Sequence, residues 1–174
     1  MKKHCEMIRK QVNANFVNLE TAIKTYDRNA LVCGVPAWRY VYHTIHSADK
    51  WFINPFYYSE PEFHQPGMDN PDNPTKKQLS DEELLGYLYR VWQKTFRFID
   101  ELDDEKLYEK PPICPYTRLE LVLMQFRHIS FHTGMINGQT AERTGKFPVF
   151  VSPHTMERLA SGLFEEEVPD TEGE

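Results

Sequence analysis

Apolar side chains recur at helical spacing in four long stretches of this chain. Between about Lys10 and Tyr26 they fall at Val12, Phe16, Leu19 and Ile23, and these gaps line one stripe of a helix. Gly34 and Pro36 then interrupt the chain. Pro36 stands near the first turn of a second helix, where a missing N–H costs nothing; that helix reads from Ala37 to about Phe52 and is ended by Asn54-Pro55. Ser80-Asp81-Glu82-Glu83 matches a capping box, in which the serine hydroxyl and Glu83 satisfy each other's free backbone N–H groups. It opens a third helix through Leu84, Leu88, Val91, Thr95 and Phe98 to about Leu102. Thr117-Arg118-Leu119-Glu120 repeats the device for a fourth, which continues to about Thr144 with Gly145 placed to close it. A shorter helix follows Ser152-Pro153 and covers Met156, Leu159 and Leu163.

No strand alternation separates these stretches, so the expected fold class is all-α: a four-helix bundle with a short C-terminal helix. Residues 54–79 break the pattern with five prolines, one glycine and an aromatic start at Phe56, Tyr57, Tyr58 and Phe63. This reads as a long crossover loop between helices two and three. A loop of that length is often functional, and a lid over a site is one expectation for it. Residues 1–164 are expected to form a single domain, and the acidic tail 165–174 a frayed, solvated end.

Composition narrows the function classes. Of 174 residues, 40% are apolar and 13% aromatic, enough for one sizeable core. The net charge of −6 and the lack of a basic stripe argue against a nucleic-acid partner. No apolar run nears the roughly 20 residues that span a bilayer, so no membrane partner is expected. The start Met1-Lys2-Lys3-His4-Cys5-Glu6 lacks the apolar stretch of a secretory signal. Cys5, Cys33 and Cys114 are odd in number and form no CxxC pair, which points to a cytoplasmic location rather than a disulfide framework or a catalytic thiol.

The candidate chemistry lies in histidines. His128 and His132 are four apart on the fourth helix, so their rings leave the same face one turn from each other. One helix gives two ligands to one metal at this spacing. The pair sits on a stripe with Leu121, Met124, Gln125, Met135 and Gln139, where two polar rings need hydrogen-bond partners or a metal. His43 and His46 lie mid-way along the second helix, and spacing alone does not choose between them as a third ligand. The plainer alternative is a set of hydrogen-bonded core histidines. Three imidazoles with an open position form a recurrent zinc arrangement, and they also suit nickel, copper and iron.

At these residues the chain resembles the DinB-like metal-binding four-helix bundles. Trp38, His43-Thr44 and Asp49 keep the intervals of that family's second helix, and Arg127-His128, His132 and Asn137 those of its fourth. His46 departs from the pattern, standing where an apolar or aromatic residue is usual. The resemblance implies a divalent-metal site on His43, His128 and His132, with zinc or nickel foremost, and assigns no catalytic residue. It further implies a homodimer and a small-molecule substrate. The expected activity is that of a metal-dependent transferase or hydrolase, with a low-molecular-weight thiol as the co-substrate in S-transfer. The alternative is a stress-related metal-binding module without turnover, favoured if His46 or Glu120 closes the fourth position. Asp49 lies off the face of His43 and is expected to hold another helix, to contact Arg127, or to be simply exposed.

Overall fold

Val12, Phe16, Leu19 and Ile23 are all buried, and they set the register of a first helix longer than the apolar spacing suggests. In the computed structural model, which describes residues 2–152 and 154–167, α1 spans Lys3–Thr25. The extra N-terminal turns are held from a distance. Oδ1 of Asp104, in the connection between the third and fourth long helices, accepts from the backbone N–H groups of His4 (2.9 Å) and Cys5 (3.0 Å). Those groups have no partner within the helix, so a remote carboxylate satisfies them where a local cap is missing.

A short hairpin, β1 (Leu31–Val32) and β2 (Val35–Pro36), leads into α2 (Ala37–Trp51). Its two turn residues, Cys33 (φ 50°) and Gly34 (φ 83°), both take positive φ, as a tight hairpin with the right twist requires. The expected chain break at Gly34 and Pro36 is therefore a strand pair. Residues 52–80 connect α2 to α3 (Asp81–Glu101), and α4 (Arg118–Thr144) follows. Both expected capping boxes are present, Ser80 with Glu83 and Thr117 with Glu120. On α3 the inward series ends at Ile99, while Phe98 is only partly buried.

Gly145 closes α4 in the left-handed region at φ 70°. Beyond it β3 (Lys146–Pro148) pairs antiparallel with β4 (Glu165–Glu167), and α5 (Met156–Ala160) lies between them. The stretch expected to fray from Glu165 thus begins with three residues in a strand; residues 168–174 lie outside the described residues.

The described residues are mostly helical, as an all-α class requires, with two small two-stranded sheets added. Each of α1 and α2 packs against both α3 and α4. Phe16, Leu19, Tyr42, Ile45, Leu88 and Ile129 are fully buried between them. Burying an aliphatic or aromatic side chain of this kind contributes about 1.5–3 kcal/mol, so the shared interior, not helix propensity, supplies most of the stability. No described helix is long and apolar enough to cross a membrane.

Candidate metal centre

α2 and α4 bring His43, His128 and His132 together. The Nε2 atom of His128 is 3.1 Å from Nε2 of His43 and 3.1 Å from Nε2 of His132. The rings meet edge-on, with centroids 4.5–5.0 Å apart and interplanar angles of 66°, 86° and 80°. Three nitrogens therefore converge on one point. Two nitrogens 3.1 Å apart, each on a metal bond of about 2.05 Å, would subtend roughly 98°, between tetrahedral and octahedral values.

Proton bookkeeping favours a cation at that point. The Nδ1 atom of His43 lies 2.7 Å from the carbonyl oxygen of Asp69. A carbonyl only accepts, so Nδ1 carries a proton, and Nε2 of the neutral ring is a bare lone pair aimed at the other two histidines. Nε2 of His128 can then donate to His43 or accept from His132, but not both. At most one of its two 3.1 Å contacts is a good hydrogen bond. Burial, reinforced by the charge His43 would carry, holds His128 down at about 4. Burial, then His128 and His43, holds His132 at about 3. Both rings are thus neutral at pH 7, the form a metal ligand needs.

Arg39 binds the loop residues on either side of Asp69 and was not singled out from the sequence. It lies one turn before His43 on α2 and is 5% exposed. Its Nη1 donates to the Asn73 carbonyl at 2.8 Å, and its Nη2 to those of Asn70 at 2.7 Å and Met68 at 3.3 Å. The loop folds around this guanidinium as successive tight turns, in which Met68 N–H donates to Gln65 O and Asn70 N–H to Gly67 O. Gly67 takes φ 76°, and a Cβ there would come 3.0 Å from Nδ2 of Asn73. The loop reaches His43 on its Nδ1 side, away from the point where the Nε2 atoms meet. It supports the site from behind instead of covering it.

The other singled-out residues fall elsewhere. His46 is buried and turns to Glu60, with Nε2 to Oε2 at 2.5 Å. Glu120 is held by its own capping box, where Oε2 accepts from Thr117 N–H at 2.6 Å. Among the described residues no further histidine, cysteine or carboxylate joins the three-histidine group. Asp49 is not exposed, and its carboxylate accepts from Tyr58 Oη (3.2 Å), Tyr87 Oη (2.9 Å) and Lys94 Nζ (2.6 Å), tying α2 to α3, with no bond to Arg127 among the described residues. The Asn137 side-chain oxygen and the Nδ1 atoms of His128 and His132 are buried without a partner among the described residues. The three cysteines are free thiols.

On its outer side His128 borders an open hollow of about 450 Å³, shared with Met124, Gln125, Arg127 and Phe131. Phe131 stands 64% exposed at its rim and packs edge-on against His132. In comparisons with protein-family models, curated proteins and solved structures, no match was found for the chain.

Proposed function

We propose that the chain is a divalent-metal-binding protein of the DinB-like kind, a four-helix bundle with its crossover between α2 and α3. In this reading His43, His128 and His132 hold one ion, zinc or nickel foremost. The observation that carries the proposal is the grouping of three histidine nitrogens within 4.8 Å of one another, with Nε2 of His128 3.1 Å from Nε2 of each of the other two and His43 oriented by the Asp69 carbonyl. A carbonyl behind a ligand histidine fixes its tautomer and raises its basicity. Three imidazoles with no fourth protein donor among the described residues leave coordination open, which suits catalysis better than a purely structural site.

A divalent ion there would lower the pKa of a bound water or thiol and act as a Lewis acid, the chemistry of a metal-dependent thiol S-transferase or hydrolase. The protein's own part is to hold His128 and His132 in their neutral form by burial, keep the three rings rigid on two packed helices, and offer substrate the hollow beside His128. Arg127 at that hollow favours an anionic small molecule, and Phe131 an apolar portion of it. A low-molecular-weight thiol as co-substrate accounts for a site without a protein cysteine. A stress-related binding module without turnover is the weaker reading, because neither His46 nor Glu120 reaches the open position. Homodimerisation and a cytoplasmic setting belong to the same proposal.

The test is the metal content of untagged protein by mass spectrometry, beside single His43→Ala, His46→Ala, His128→Ala and His132→Ala variants. We expect one ion per chain to be lost with residues 43, 128 and 132, and this ion to survive the change at 46. Retention of that ion in all three site variants would overturn the assignment. Thiol and electrophile offered to the loaded protein should then react faster than with metal-free protein; equal rates would remove the transferase reading but leave the site.

A further inference from the structure

The face of α2 next to that of His43 carries a second group of donors, beginning with His46 three residues on. His46, whose side chain is 3% exposed, presents Nε2 to Oε2 of Glu60 at 2.5 Å. His64, 9% exposed, presents its own Nε2 to the same oxygen at 3.8 Å. The two imidazoles lie nearly parallel, with centroids 4.8 Å apart at 20°. The other nitrogen of His64 is held by the phenol of fully buried Tyr42, Nδ1 to Oη at 2.6 Å. Tyr58 stands edge-on to His46 and Phe63 edge-on to Tyr42, walling the group with aromatic rings.

A simple ion pair between His46 and Glu60 does not account for His64. If Nε2 carries a proton, on a neutral or a charged ring, its N–H faces Glu60 at 3.8 Å, too far for a hydrogen bond. If instead Nδ1–H donates to Tyr42, Nε2 is a lone pair facing a carboxylate oxygen, and the contact is repulsive. A cation between the three atoms removes both difficulties. Ligands on bonds of about 2.0–2.2 Å in a tetrahedral site lie roughly 3.3 Å apart. The observed 2.5 and 3.8 Å bracket that spacing, and moving one carboxylate oxygen from His46 toward His64 equalises them. The Tyr42 phenol on His64 Nδ1 corresponds to the Asp69 carbonyl on His43 Nδ1, each fixing a ring from its far side. Lys50 Nζ lies 3.7 Å from the other Glu60 oxygen, and its 33% exposed side chain can swing into solvent.

We propose that His46, Glu60 and His64 form a second divalent-cation site, of the two-imidazole, one-carboxylate type suited to zinc and similar first-row ions. Its first ligand is on α2 and the other two on the connecting loop, so the ion fastens residues 60–64 to the helix. The same loop carries the Asp69 carbonyl to His43, and the second ion therefore steadies the back of the first site. The proposal stands independently of the three-histidine reading.

Cobalt(II) serves as the probe, titrated into the full metal-free chain and followed by its visible absorption and by stoichiometry in native mass spectrometry. Two equivalents are expected in the wild-type chain. Glu60→Gln, a change at a 42% exposed side chain, and His64→Gln should each weaken one equivalent at least about 10-fold and leave the other. A His128→Ala/His132→Ala chain should keep one equivalent, lost again on adding Glu60→Gln. Cobalt should also slow proteolysis between residues 53 and 79 in that double variant, but not once Glu60→Gln is added. Retention of one equivalent in the double variant and its loss with Glu60→Gln support this site even if the three-histidine assignment fails. One equivalent unaffected by Glu60→Gln and His64→Gln but abolished by the double variant would overturn the second site and leave the first. No binding to any chain would overturn both.

Discussion

Arg39→Lys separates holding the loop from merely filling space. Arginine meets the Asn73, Asn70 and Met68 carbonyls with one planar fork, and lysine offers a single point of charge on a shorter reach. The two short bonds, 2.8 and 2.7 Å, come from different guanidinium nitrogens, so lysine keeps at most one of them. A hydrogen bond from a charged group is worth about 1.5–3 kcal/mol, so stability should fall by roughly 2–3 kcal/mol. That loss alone says nothing of function. The informative quantity is metal affinity, because a loosened Asp69 carbonyl fixes the His43 tautomer less firmly. Losing an outer partner of a ligand histidine costs roughly 10–100-fold in affinity, about 1.4–2.8 kcal/mol.

The assay is zinc affinity by competition with a chromophoric chelator, run with urea unfolding of the metal-free protein. Asp49→Asn is the control. It disturbs the contacts of α2 with Tyr58, Tyr87 and Lys94 and touches nothing near Asp69, so it should lower stability and leave the affinity of the three-histidine site in place. If Arg39→Lys lowers stability but leaves that affinity within about twofold of wild type, Arg39 only packs the loop, and the argument through Asp69 is wrong.

Zinc at about 100 times its dissociation constant should stabilise the chain by about 2.7 kcal/mol, seen as a raised thermal midpoint; His132→Ala should abolish the part of that rise due to the three-histidine site. Metal-free protein should lose stability as pH falls from about 6.5 toward 4. Burial holds His46, His128 and His132 below their ordinary range when folded, so the unfolded chain binds more protons there and acid favours it. Urea midpoints at pH 7, 5.5 and 4.5 measure this, and a His128→Ala/His132→Ala chain should show a shallower slope; an equal slope would count against the burial argument. Tyr87→Phe should cost about 1 kcal/mol in urea unfolding by removing one donor to Asp49 while keeping the ring, and no loss would mean water replaces the hydroxyl.

Much of the helical frame was readable because its signals are local. Ser80 with Glu83 and Thr117 with Glu120 set two helix starts within four residues each, and Gly145 marks an end through a backbone angle that glycine takes freely. The start of α1 was misplaced because its cap is Asp104, roughly a hundred residues away. The β1–β2 hairpin was missed because a two-residue strand has no alternation to read, and its turn uses Cys33, a residue seldom found at positive φ. Spacing placed His128 and His132 on one face, but helical geometry could not choose between His43 and His46. That choice depends on which neighbour each side of α2 meets. Arg39 did leave a trace: a cation one turn before His43, inside an apolar stretch, has to find partners. Its partners are carbonyls of an irregular loop, and no side-chain pattern announces a carbonyl.

These contacts give α2 a particular role. Arg39 and His43 stand one turn apart and face Asp69 and α4, whereas Tyr42 and His46 stand one turn apart and face His64 and Glu60. Both pairs are completed by residues 60–73, so one loop closes two adjacent faces of one helix. Anything that draws residues 60–64 onto α2 also shortens the free length of chain on which Asp69 is carried. The restraint on His43 then rests on two anchors, the Arg39 fork and the contacts of Glu60 with His46 and of His64 with Tyr42. Removing either anchor alone should leave His43 partly held. Removing both, with Arg39→Lys and Glu60→Gln in one chain, should weaken the three-histidine site by more than the product of the single effects, because each anchor covers for the loss of the other.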